Sequence, residues 1–426
     1  MLKIIEKKVQ DELFQKLLSR SQLNDLKVNQ VVEEIIKQVK TYGDEALRNY
    51  TKAFDGANIE SFKVSQEEIE EANKLVSDTL KNDLLLAMDN IKFYHGKQMI
   101  ESFRYQKENG IIIGQKVTPI QSVGIYVPGG TAAYPSTVLM NAVPAKIAGV
   151  EKIVMITPPG KDGKINPNIL VAARLAGVDE IYKVGGAQGI AALAYGTASI
   201  PRVSKIVGPG NIYVAMAKKM VSGYVGIDMI AGPSEVLIIA DEHADPRFIA
   251  CDLMAQAEHD INAAAILITN SKNLAQKVNL SIEKEIKTLS RRNIIEASFK
   301  NFGAIIIVDD LLEAVSISNM IAPEHLEILT EKPEVLFEEI TNAGSIFLGS
   351  YTPEPVGDYF AGPNHTLPTS GTATFASALS VLDFLKKSSY TYYSKEALNK
   401  AKDSIIRLAE AEALTAHARA VEVRFK

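Results

Sequence analysis

The chain has 426 residues, 46% hydrophobic and 23% charged, with a formal net charge of −5 and a single cysteine. That length exceeds what one hydrophobic core organises and calls for two to four domains, at roughly 100 to 200 residues each. The balanced composition excludes a disordered chain, and mild acidity without Lys/Arg runs makes nucleic acid or an anionic membrane surface a poor partner.

The opening "MLKIIEKKVQ" alternates apolar with charged residues and lacks the apolar core of about 7 to 15 residues that marks a signal peptide. No apolar run is long enough to span a bilayer, and Cys251 alone cannot form an internal disulfide; a cytoplasmic protein is expected. The first hundred residues read as helical, with apolar residues three and four apart in "VVEEIIKQVKTYGDEALRNY" and "LVSDTLKNDLLLAMDNIKFY". Ser65 and Glu68 form a capping-box start.

After about residue 111 short β-branched runs appear, "SVGIYVPGG", "KIVMITPPG", "EIYKVGGAQG" and "KIVGPGN", each stopped by a Gly or Pro-Gly turn. Helical segments such as "PNILVAARLAG" and "IYVAMAKKMVSG" separate them, which is the rhythm of βαβ units and a parallel sheet. The rhythm resumes in "EVLIIAD", "AAAILITN", "GAIIIVDD" and "GSIFLGS". The expected fold is α/β: two tandem Rossmann-like parallel-sheet domains, with small N- and C-terminal helical segments, the latter through "KEALNKAKDSIIRLAEAEALTAHARAVEVR".

No GxGxxG fingerprint occurs. Three strand ends nevertheless carry Gly-rich turns: Gly129 and Gly130, then Gly185 and Gly186 with Gln188, then Gly208 and Gly210 with Asn211. Each alone reads as a tight turn. Three in register favour a nucleotide site at the carboxyl ends of the strands.

"MAQAEHDINA" sets Gln256 and His259 about 60° apart around a helix, with Glu258 facing elsewhere. Viewed alone, this is either a hydrogen-bonded core histidine or half of a ligand set. "IAPEHLEIL" places Glu324 and His325 at a loop-to-strand junction, where catalytic groups are common. "VGDYFAGPNHTLPTSG" adds Asp358 and His365, and "AEALTAHARA" adds Glu412, Thr415 and His417. Imidazoles with a carboxylate suit zinc, and a remaining Glu and His suit acid/base work. His95 and His243 read as structural or solvent-exposed. Cys251, about 140° around the helix from Gln256, reads as a small core residue, so aldehyde oxidation would proceed through activated water and not through a thiol.

"VGIYVPGGTAAYPSTVLMNAVPAKIAG", "GGAQGIAALAYGT", "KIVGPGNIYV", "DMIAGPSEVLIIAD", "QAEHD", "APEHLEI", "GDYFAGPNHTLPT" and "LTAHARAVEVR" together resemble the zinc-dependent L-histidinol dehydrogenase family, from about residue 110 to the C-terminus. The resemblance implies oxidation of L-histidinol to the aldehyde and then to L-histidine, with two NAD reduced, closing histidine biosynthesis. It implies Gln256, His259, Asp358 and His417 as zinc ligands that also contact substrate, and Glu324 and His325 as the catalytic pair. Ser234, His325, His365 and Glu412 match substrate-contacting positions, and Tyr126, Gln188 and Asn211 match NAD-contacting ones.

The resemblance further implies an intertwined homodimer in which Glu412 and His417 serve the other chain's site. On this basis the expected division is 1–20 as an N-terminal helical segment, 21–125 with 233–378 as the substrate and metal domain, 126–232 as an inserted NAD domain, and 379–426 as a swapped C-terminal helical domain. Asp260 and Gly189 depart from the family's usual Gly and Ala, neither at a ligand position. Rival readings are a relative oxidising another primary amino alcohol, a zinc hydrolase using Glu324 without NAD, and a non-catalytic metal-tied protein.

Overall fold

The computed structural model describes residues 1–6, 12–18, 26–129 and 133–426. Its strands are β1 (Lys3–Glu6), β2 (Phe103–Glu108), β3 (Ile111–Pro119), β4 (Ser122–Tyr126), β5 (Lys152–Thr157), β6 (Glu180–Lys183), β7 (Lys205–Val207), β8 (Gly226–Ile227), β9 (Glu235–Ala240), β10 (Ala264–Thr269), β11 (Gly303–Ile307), β12 (His325–Leu329), β13 (Ser345–Leu348) and β14 (Leu385–Tyr393). They form a parallel six-stranded sheet, β1-β11-β10-β9-β12-β13, and a parallel five-stranded sheet, β6-β5-β4-β7-β8. In each, the first two crossovers step one way from the starting strand and the next two step the other, so the chain carries two Rossmann-like sheets in tandem. A third, antiparallel sheet has the order β14-β3-β2.

Both faces of the parallel sheets are covered, which explains their unbroken apolar strands. Successive residues serve opposite cores: Val236, Ile238 and Ala240 pack one way and Leu237 and Ile239 the other, as Ile153 and Met155 oppose Val154 and Ile156. Each such fully buried side chain contributes roughly 1.5 to 3 kcal/mol. The capping box at Ser65 and Glu68 is present, opening the helix Gln66–Leu75.

Several expectations need correction. Residues 3–6 are a strand, not part of a helix, because this short β-branched run pairs in parallel with β11 at the sheet edge. The helices between 26 and 96 cover the five-stranded sheet: Val28, Val32, Ile35, Ile36 and Val39 of Leu26–Tyr42 share a core with Val154 and Ile156, and Leu84, Met88 and Ile91 of Asp78–Gly96 share one with Ile153. Their apolar faces join neither core of the six-stranded sheet, so they do not share a core with residues 233–378; an amphipathic stripe tells that a sheet is covered but not which. The expected edge at 125/126 falls inside β4. Residues 385–393 of the C-terminal segment form β14, a Tyr- and Ser-rich strand beside β3, followed by the helices Lys395–Ala411 and Thr415–Glu422. Cys251 is exposed, on the outer side of Pro246–Ala257. The 20/21 boundary and Gly130 lie outside the described residues.

Candidate active site

A cleft of 510 Å³ opens where the two parallel sheets meet end to end. From the five-stranded sheet it takes Pro128 after β4, Gly208 to Ile212 after β7 and Met229 after β8, all at carboxyl ends. From the six-stranded sheet it takes Ser234 before β9, His259 and Asp260 before β10, and Glu324 and His325 at the start of β12, all at amino ends. Glu354, Asp358 and Tyr359 of the short helix Glu354–Tyr359, with His365 and Thr369, close it. Carboxyl strand ends of one sheet thus face amino strand ends of the other.

β9 and β12 are neighbours, and Glu235 ties their first residues together. Its N–H donates to Glu324 Oε2 (2.9 Å), and its side chain accepts from the N–H of Glu324 (3.3 Å) and of Ser370 (2.9 Å). His325 Nδ1 donates to the Glu235 carbonyl (3.0 Å). A carbonyl only accepts, so Nδ1 carries a proton and Nε2 is left as the reactive nitrogen. Nε2 is buried without a hydrogen-bond partner and lies 3.7 Å from Asp358 Oδ1.

Three carboxylates crowd this imidazole. Glu324 Oε2 is 3.7 Å and Glu354 Oε1 3.9 Å from Nδ1. Burial alone would lower the His325 pKa, but Glu354, Glu324 and Asp358 together outweigh it and hold the ring well above its ordinary value. Burial pushes Glu324 up to about 8 and Glu354 up to about 7, each partly offset by His325. Burial also works against Asp358, yet His325, His365 and His259 hold it below the usual carboxylate range. His259 and His365 are both lowered, chiefly by burial, so both are neutral imidazoles.

His259 lies in the turn just past the end of Pro246–Ala257, and Gln256 one turn earlier is fully buried. The Gln256 amide is assigned with its nitrogen donating to the Glu354 carboxylate (2.6 Å to Oε2) and its oxygen accepting from Glu235 N–H (2.9 Å). His365 Nδ1 donates to the Asp358 carbonyl (3.0 Å), and its Nε2 pairs with Thr137 Oγ1 (3.3 Å), joining the helix Pro135–Ala148 to the Asp358 helix.

Donor atoms of His325, Glu354 and Asp358 lie within 4.8 Å of one another. Glu324, Glu354 and Asp358 crowd one buried spot beside His325, and a divalent cation there would favour the ionised form of the two carboxyls that burial pushes up. Nitrogen and oxygen donors of this kind fit zinc.

Ser234, Gln256, His259, Glu324, His325, Asp358 and His365 are therefore gathered at one place, and Asn211 lines the same cleft. Tyr126 and Gln188 are buried farther along the five-stranded sheet. Glu412 and His417 are exposed and line no part of the cleft. Sequence reasoning missed Glu235 and Glu354. The signals were present: a lone Glu opening the apolar strand "EVLIIA", and a Glu four residues before Asp358 on one helical face.

The Gly-rich turn after β7 is tightly built. Gly208 has φ +110°, and a Cβ there would lie 2.2 Å from the Tyr126 carbonyl oxygen. The side chain of Asn211 caps Ile212–Val221 by accepting from the N–H groups of Tyr213 and Val214 (3.1 Å each).

The family model described as "Histidinol dehydrogenase" matches residues 18–425. A Clostridium acetobutylicum protein of that description is 58% identical over 98% of this chain and 96% of its own, and one from Caldanaerobacter subterraneus is 56% identical over 98% and 97%. The crystal structure of histidinol dehydrogenase from Elizabethkingia anophelis superposes with a TM-score of 0.94 at 39% identity, covering 99% of this chain and 98% of that one. With family, sequence and fold in agreement over nearly the whole length, this chain belongs to the histidinol dehydrogenase family.

Proposed function

We propose that the chain oxidises L-histidinol to L-histidine through the aldehyde, reducing two NAD, as the last steps of histidine biosynthesis. The observation that carries this reading is the unpartnered Nε2 of His325, held toward the cleft by the Glu235 carbonyl with the Glu324 carboxyl alongside. A divalent cation bound among the surrounding carboxylates would offset their hold on the His325 proton and free Nε2; in the first half-reaction that nitrogen takes the alcohol proton as the carbinol carbon gives up hydride to the nicotinamide ring. In the second, Glu324 takes a proton from water, whose oxygen bonds to the aldehyde carbon; the hydrate then loses hydride to a second NAD and leaves as carboxylate. Gln256, His259 and Asp358, with a His417 from a second copy, would hold a zinc ion, which would supply a Lewis-acid anchor for the amino alcohol. Ser234 and His365 contact the substrate from the cleft wall, and Glu412 pairs with its ammonium group. Tyr126, Gln188 and Asn211 hold NAD along the carboxyl ends of the five-stranded sheet.

A homodimer follows from the same assignment, because Glu412 and His417 stand away from the cleft of their own chain. The outward-facing sheet supports it: Phe103, Tyr105, Tyr392 and Tyr393 are exposed on β2 and β14. Among the described residues no helix is long and apolar enough to cross a membrane, and the lone exposed Cys251 suits a reducing compartment, the cytoplasm.

The test is NADH formation on adding L-histidinol to zinc-loaded protein, abolished by a chelator and restored by zinc. Oxidation of another amino alcohol with histidinol left untouched would overturn the substrate assignment.

A further inference from the structure

The nucleotide-facing end of the five-stranded sheet holds a half-buried carboxylate that the reaction above does not use. Asp55 ends the helix Asp44–Asp55, and its Oδ2 is buried with no hydrogen-bond partner. Such an orphan calls for an explanation, since buried polar atoms are almost always paired.

Its position is fixed by the other end of its helix. Ser199 donates to Asp44 through its hydroxyl (2.5 Å) and its N–H (3.3 Å), which pins Asp44 beside the segment following the helix Gly186–Tyr195. The two helices pack together, and with Asp44 held past the last residue of Gly186–Tyr195 the chain leads back toward Gly186, where Asp55 lies near enough to act on the Tyr126 phenol. Two further groups meet there. The Tyr126 hydroxyl accepts from Gly186 N–H (3.3 Å), and Gln188 folds back over Gly186, its Oε1 buried and likewise unpartnered. The Asp55 charge is felt at the Tyr126 phenol, which burial, the larger cause, pushes up to about 12.

Two buried acceptors without donors call for a ligand bearing O–H groups, and a vicinal diol supplies two. The Tyr126 ring spans from this pair to the turn at Gly210, which lines the catalytic cleft. The nicotinamide must lie at the cleft end for hydride transfer, so the sugar at the far end is the adenosine ribose.

We propose that Asp55 receives the adenosine ribose hydroxyls of NAD and, by its charge, rejects the 2′-phosphate of NADP. No acidic residue ends β5 in "TPPG", where a Rossmann sheet commonly carries this carboxylate, and the helix Asp44–Asp55 supplies it from outside the sheet. The inference rests on NAD lying along this sheet, and the test separates the two claims.

NADH and NADPH are titrated into the zinc-loaded protein without substrate, following the nucleotide's own fluorescence. Asp55→Asn is expected to weaken NADH about tenfold, the loss of roughly one charged hydrogen bond, and to narrow the preference over NADPH by at least as much. Asp55→Ser, which leaves room for a phosphate, is expected to bind NADPH more tightly than the wild type does. Unchanged NADH affinity and unchanged preference in both folded variants, with Gln188→Ala and Asn211→Ala weakening NADH, would overturn the role of Asp55 alone. If all four variants bind NADH as the wild type does, the placement of NAD on this sheet falls, and Asp55 with it.

Discussion

Glu324 and His325 are adjacent, yet their surroundings differ. His325 is tied at Nδ1 and open at Nε2, the arrangement of a base that takes a proton from a bound hydroxyl. Glu324 is a carboxyl that burial pushes up to about 8, a base of middling strength suited to activating water. Glu324→Gln should therefore slow oxidation of the aldehyde by about a hundredfold or more while alcohol oxidation falls far less; equal loss of both steps would contradict the assignment. The carboxylate is the working form, so aldehyde oxidation should rise with pH and level off no higher than about 8, since a neighbouring cation lowers the value. That rising limb should be absent from Glu324→Gln.

Burial raises the Asp55 pKa from 3.8 to about 6, so the folded protein holds this proton more tightly than the unfolded chain does, and ionisation costs stability. The cost is absent below about 3.8, grows between 3.8 and 6 and is constant above. Asp55→Asn should thus raise the thermal midpoint at pH 7 and leave it unchanged near pH 3.5, whereas a merely structural carboxylate would show a loss. Single polar residues inside apolar stretches, His259 and His325 above all, were legible in the sequence because they break a pattern. Glu235 and Glu354 were not, because a Glu at a strand or helix start is ordinarily solvated.

The turn after β7, proposed above to contact the nucleotide, is held by a buried ion pair. Asp228 accepts from Gly208 N–H (2.8 Å), Lys218 donates to the Gly208 carbonyl (2.8 Å), and the two side chains pair with each other at 0% and 2% exposure. Both backbone groups of one glycine are thereby fixed, which sets the aim of Gly210 and Asn211. Lys218→Met should cost about 3 to 5 kcal/mol, read by denaturant unfolding, because Asp228 is left buried and unpaired. Adding Asp228→Asn should recover part of that loss. The glycines of this turn were legible from "VGPGN", but the clamp was not: Lys218 reads as a surface helix lysine, and only the return of the chain through β8 brings Asp228 beneath it. Helix stripes in residues 26–96 were likewise legible as stripes. Their assignment to the five-stranded sheet depends on long-range packing that periodicity does not encode.

Over the whole molecule, two βαβ series were legible from strand rhythm, and they do form two sheets of like order. The third sheet was not, since β14 pairs with β3 across more than 250 intervening residues. That sheet carries the chain outward to the C-terminal helices, where Glu412 and His417 stand exposed. If these residues complete the site of a second copy, mixing Glu324→Gln subunits with His417→Ala subunits should raise L-histidine formation well above that of either variant alone, because one site of each mixed dimer then has both groups intact. No recovery after verified subunit exchange would mean that the tail serves its own chain.

A four-electron oxidation at one site is read by counting NADH against L-histidinol consumed by the zinc-loaded protein at limiting substrate. Two NADH are expected for each L-histidinol, with L-histidine as the product; one NADH with aldehyde accumulating, or no NADH at all, would rule that oxidation out.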